Sequence, residues 1–275
     1  MHDDVLSLFD TASLEDLERL SRIVTLESQG STQFFADGKA RFAQFFGKAD
    51  RFFKAITFEV LGFGRLNSAD LMKVISAQGF MAVSEKQAIV PQGFIGHWLP
   101  YAVALEEGFR KGQRLTGMIS NFNTMVGQLV NDPDLLKSAS GIPAGEVEIL
   151  GLHSDMKALT QQFFNVNDEA ITRSLGSVLE RAADVGPLYT AINGYLMIDK
   201  NNPASTVSKL ITRSLDLSKH LVRAMDEQHV SKAVREQLIA LTFSIAREVE
   251  AYGILLYRAK QFTLAVRDTP AQLSK

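Results

Sequence analysis

Cysteine is absent from the 275 residues. Disulfides, thiolate metal sites and a cysteine nucleophile are therefore excluded, and the chain suits a reducing compartment. There is no excess of charge of one sign. Twenty-nine Lys+Arg stand against 31 Asp+Glu, a formal net charge of −2, so the basic surplus of a dedicated nucleic-acid binder is missing. Nor is there a long hydrophobic run. The most apolar stretch, Leu238–Ala246, is interrupted by Thr242 and Ser244 and followed by Arg247. It falls well short of the ~20 apolar residues that span a bilayer. The N-terminal MHDDVLSLFD carries acids where a secretory signal needs positive charge. The expectation is a cytoplasmic protein with no signal peptide and no transmembrane segment.

What is present is helical patterning. Hydrophobic residues make up 46% and charged residues 22%, enough for a core without staples. Ser13 and Asp16 form a capping-box-like start, and Leu14, Leu17, Leu20 and Val24 follow at three- and four-residue steps. Nine of the 18 phenylalanines lie between Phe34 and Phe63. Phe35, Phe42, Phe46 and Phe53 are spaced 7, 4 and 7, and Phe34, Phe45 and Phe52 are spaced 11 and 7. On a helix the two series make one broad aromatic face, with Lys39, Gln44, Lys48 and Arg51 directed elsewhere. Such a face is either core or a surface for a partner or a membrane, because leaving it wet is costly.

Asn67 or Ser68 caps a helix carrying Leu71, Met72 and Ile75, and Gly79 stops it. A short strand is expected at Met81–Val83 or Ala88–Val90. Pro91, Gly93, Gly96 and Pro100 then interrupt an apolar stretch, which reads as an ordered connector and a domain boundary. Helix resumes near Tyr101 and runs towards Val130, with Gly108, Gly112 and Gly117 weakening it or marking close helix approach. Further helices are expected over Glu146–Phe164, from Asn167 to near Gly186-Pro187, over Leu188–Ile198, and from Asn202-Pro203 with Leu210, Leu217, Leu221 and Met225 inward. The last is the longest. Val234, Leu238, Leu241, Ile245, Glu248, Tyr252, Leu255, Ala259, Phe262 and Val266 form a seam of nearly five heptads with Glu248 its one charged member. At 1.5 Å per residue it would reach ~50 Å.

The predicted fold class is all-α: a multi-helix bundle with a long C-terminal helix, divided into two lobes. Residues 1–90 form an N-terminal helical region with the Phe-rich helix, 91–100 the Pro/Gly connector, and 101–275 a C-terminal helical bundle.

Reactive groups are scattered. None of His2, His97, His153, His220 and His229 pairs with another at the i, i+4 spacing of helical metal ligands. Asp226 and His229 share a helical face, but the repeated Glu-x-x-His of a di-iron bundle is missing. Asp37-Gly38-Lys39 lacks the preceding glycine of a phosphate loop and has Ala40 where Ser or Thr belongs. Gly62-Phe63-Gly64 lacks the third glycine of a dinucleotide fingerprint. Glu106-Glu107 and Glu146-x-Glu148 read as surface acids. No catalytic residue, cofactor or metal is predicted.

In its texture, free of cysteine, built from long helices and lacking catalytic signatures, the chain resembles helical structural proteins of tailed-phage virions. VPQGFIGHWLPY, Val90–Tyr101, is its most individual stretch. The resemblance implies an assembly role, with the virion as the alternative location to the cytoplasm, and carries over no functional residue.

The expected function is therefore that of a non-enzymatic structural or interaction protein that self-associates or binds other proteins in a larger assembly. The expected contacts are Phe35, Phe42, Phe46, Phe53, Trp98, Leu241, Ile245 and Tyr252. One alternative is a membrane-surface protein using segment 34–63, where Lys39, Arg41, Lys48, Arg51 and Lys54 surround the phenylalanines. A second is a small-molecule enzyme whose histidines converge with carboxylates in a helical fold.

Overall fold

The computed structural model describes residues 64–91, 93–132, 134, 172–201, 209–210, 212–214, 216–217, 220, 224, 252, 255–256 and 258–274. The fold is mainly α-helical, with 79% of these residues in helices and one two-stranded sheet. By contacts the chain divides into two compact units, each gathered from three stretches. The first takes Met1–Thr57, Arg114–His153 and Ala204–Gly253, and the second Phe58–Gln113, Ser154–Pro203 and Ile254–Lys275. The connector 91–100 lies inside the second unit.

Helix α1, Ala69–Gln78, begins as its sequence dictates. The Asn67 side-chain oxygen accepts the Ala69 N–H at 3.0 Å, satisfying one of the free amides of the first turn. Leu71 and Ile75, one turn apart, are buried. Gly79 ends the helix at φ +82°, and its N–H donates to the Ile75 carbonyl at 2.8 Å. Helix α2, Phe80–Ser84, follows at once. Of the two places considered for a strand, Met81–Val83 is therefore helical. Strand β1 is Gln87–Ile89, and it pairs antiparallel with β2, Thr172–Ser174, with Ala88 opposite Arg173.

The connector is irregular but packed. Val90, Pro91, Gly93 and Phe94 are buried, and the Phe94 N–H closes a turn onto the Pro91 carbonyl at 3.0 Å. Helix α3 then runs over Trp98–Asn131, 34 residues. Pro100 falls in its first turn, where the missing N–H has no carbonyl to reach. Trp98, Tyr101, Leu105 and Phe109, and later Ile119, Phe122, Val126 and Leu129, are buried at three- and four-residue steps, the stripe that a helix needs to cover one face.

The helix expected from Asn167 to Gly186-Pro187 is not formed over the described part of that span. Residues 172–184 hold β2, the four-residue helix α4 (Leu175–Val178) and a 3₁₀ turn (Ala182–Asp184). Pairing with β1 draws Thr172–Ser174 into the sheet, and the Leu175 N–H donates to the Lys86 carbonyl at 2.8 Å. Tertiary pairing thus overrides local helical preference. Gly186-Pro187 opens rather than closes a helix. Both stand in the first turn of α5, Val185–Asn201, where proline is tolerated.

In the second unit, residues 258–273 form a C-terminal helical run. Ala259, Phe262 and Val266 of the heptad seam are buried on that run, and Leu255, which precedes it, is also buried. Gly108 lets α3 approach closely: a Cβ built on it would lie 2.8 Å from Leu255 Cδ1. The Asn193 side chain on α5 bonds both backbone groups of Leu66, accepting its N–H at 2.8 Å and donating to its carbonyl at 2.9 Å. Lys86 Nζ donates to the Leu273 carbonyl at 2.8 Å, a favourable cation at a helix C-terminus.

In the first unit, the later part of α3 meets the helical residues around 209–217. Asn123 Nδ2 donates to the Leu210 carbonyl at 3.0 Å, and Ser214 Oγ lies 2.7 Å from Asn123 Oδ1 and 2.9 Å from that same carbonyl. Asn123 and Ser214 are buried, so these bonds offset a desolvation cost of about 1–3 kcal/mol per group.

Candidate functional site

The candidate grouping among the described residues is an aromatic cluster in the second unit. The connector supplies Phe94. The first turn of α3 supplies Trp98 and Tyr101, three residues apart and hence on one face. The C-terminal run supplies Phe262, which sits among them. Its ring centroid is 4.9 Å from Tyr101 and 6.4 Å from Trp98, both edge-on, and 6.0 Å from Phe94 in a stacked arrangement. Phe94 meets Tyr101 edge-on at 5.4 Å. Further along α3, Phe109 stacks on Tyr195 of α5 at 5.2 Å. Each such pair is worth about 0.5–1.5 kcal/mol beyond the area it buries.

The polar atoms of this cluster are held as neutral groups. Thr263 Oγ1 donates to the Ala259 carbonyl at 2.7 Å. Its single proton is thereby committed, so the 2.6 Å contact between Tyr195 and Thr263 has the phenol as donor. Burial drives the Tyr195 phenol well above its usual range. Burial likewise raises Tyr101, against the opposing charge of Arg258. Tyr189 is pushed up to about 12, first by burial and then by the charge of Asp70. At neutral pH these phenols keep their protons. They act as packed neutral groups, Tyr195 also donating to Thr263, and none is poised as a base.

The residues read from the sequence as contacts are distributed as follows. Trp98 is 0% exposed and Tyr252 1%, so neither offers an accessible anchor in the isolated chain. Phe35, Phe42, Phe46, Phe53, Leu241 and Ile245 lie outside the described residues. So do His2, His153, His229, Glu146 and Glu148. His97 Nε2 is 3.6 Å from Glu180 Oε1, with both side chains about half exposed, a pair of little energetic weight. His220 is exposed. Glu106 and Glu107 are engaged one turn along α3 by Arg110 at 2.7 Å and Lys111 at 3.2 Å, which makes them ordinary i, i+4 ion pairs. Among the described residues no group of three His, Cys, Asp or Glu side chains could hold a metal ion. No helix among them is long and apolar enough to cross a membrane.

The trio Phe94, Trp98 and Tyr101 is visible in the sequence as one short stretch. Its convergence with Phe262, more than 160 residues away, carries no local signal. Among the described residues, the large apolar side chains left exposed are Met72, Met81, Ile95, Val103 and Met197. They fall on α1, α2, the connector, α3 and α5, and single exposed apolar residues are ordinary on a protein surface.

Comparison with protein-family models, curated proteins and solved structures gave no match.

Proposed function

We propose that this chain is a non-enzymatic helical component of a larger protein assembly, acting through self-association or contact with other proteins. The observation that carries the reading is the concentration of nine phenylalanines between Phe34 and Phe63, seven of them at helical spacing. A face of that breadth must be covered, and protein partners are one means of covering it. The burial of Trp98 and Tyr252 supports placing the contact on Phe35, Phe42, Phe46 and Phe53, because the two other aromatic candidates are already enclosed. The resemblance to tailed-phage virion proteins makes a phage particle the assembly to consider first.

Sizing with light scattering on the full chain at micromolar concentration tests the reading. The expected mass exceeds that of one chain and falls towards it in Phe42→Ser/Phe46→Ser, with circular dichroism unchanged. A single-chain mass for the unsubstituted protein throughout the micromolar range overturns self-association.

A second reading is favoured by a separate feature, the five basic residues Lys39, Arg41, Lys48, Arg51 and Lys54 interleaved with the phenylalanines. That combination suits the surface of an anionic membrane. Flotation with anionic liposomes at low salt decides it, and protein that remains at the bottom of the gradient excludes it.

A further inference from the structure

We draw no further inference here: the strongest candidate, the start of α3, where Trp98 Nε1 and the Nδ1 of the preceding His97 are buried without a hydrogen-bond partner, is a helix N-terminus at which nothing in the structure shows that either nitrogen faces a ligand.

Discussion

Replacing Gly108 and Gly194 by alanine, one at a time, should affect stability differently, with Gly108→Ala the less stable variant, although both glycines lie inside helices. An interior Gly→Ala change contributes about 1 kcal/mol of helix propensity. At Gly194 on α5 the new methyl would meet the Glu106 carboxylate, 2.6 Å from Oε1. That group ends a flexible side chain that can swing aside. The swing forfeits the Glu106–Arg110 pair, whose arginine is 68% exposed, at a cost of about 0.3–0.5 kcal/mol. Gly194→Ala should therefore be neutral to stabilising by about 0.5 kcal/mol. At Gly108 the methyl would lie 2.8 and 3.2 Å from the two Leu255 methyls, against an ordinary carbon contact of about 3.5–4.0 Å. Leu255 is 0% exposed, so it must move within a filled interior, and overpacking of this kind costs about 1–3 kcal/mol. The net expectation for Gly108→Ala is a loss of up to about 2 kcal/mol. Urea unfolding followed by tryptophan fluorescence reads both variants with one probe, because Trp98 is the only tryptophan and lies in the same unit as both glycines. A double-mutant cycle with Leu255→Ala should show positive coupling, since the shortened side chain vacates the space the new methyl needs. If Gly108→Ala proves as stable as Gly194→Ala, the close approach of α3 to Leu255 is refuted.

The other predictions concern a turn, a tether and a titration. Gly79→Ala should cost about 1–3 kcal/mol, measured as a lowered urea midpoint, because φ +82° with ψ 142° is a conformation L side chains rarely adopt; an unchanged midpoint would contradict it. Asn193→Ala should cost about 1–3 kcal/mol by leaving both backbone groups of Leu66 without their side-chain partner, and hydrogen exchange at the Leu66 amide should quicken even if global stability changes little. Alkaline titration by phenolate absorbance should show Tyr101, Tyr189 and Tyr195 ionising above the ordinary tyrosine value, with Tyr189 near 12. In the unfolded chain these phenols lose protons near pH 10 while the folded chain retains them. Their contribution to stability is thus complete below about pH 10 and declines as pH rises towards and past 12. Tyrosines that all ionise together near 10 in the folded protein would contradict this.

Local chemistry made much of the fold legible. Asn67, Leu71, Ile75 and Gly79 spell a helix with its cap and stop, and α1 has those bounds. The interruption of α3 by glycines was readable as close helix approach, and Gly108 meets Leu255 in that way, whereas Gly117 has nothing within 4 Å. A glycine looks the same in sequence whether a neighbour crowds it or not. The span 172–184 was misread because its determinant is remote: β1 lies more than 80 residues away, and nothing local says that Thr172–Ser174 will pair with it. Gly186-Pro187 was misread because a proline near a helix end suits the first turn of the next helix as well as the stop of the previous one. Of the contact residues, Trp98 stood in an apolar, Pro/Gly-broken stretch that either a packed connector or a surface anchor would produce. The deciding element, Phe262, belongs to a distant helix.

The bonds that close the second unit bridge long stretches of chain. Leu66 and Asn193 are 127 residues apart, and Lys86 and Leu273 are 187 apart. Each doubling of such a loop adds only about 0.6 kcal/mol of closure entropy, so the penalty at equilibrium is small. The penalty in time is larger, because distant contacts form late. During synthesis Phe94, Trp98 and Tyr101 leave the ribosome long before Phe262, the ring they surround, has been translated. A nascent chain released or cut short of that residue would hold three aromatic side chains with no central partner, a species for chaperones rather than a smaller version of the folded protein.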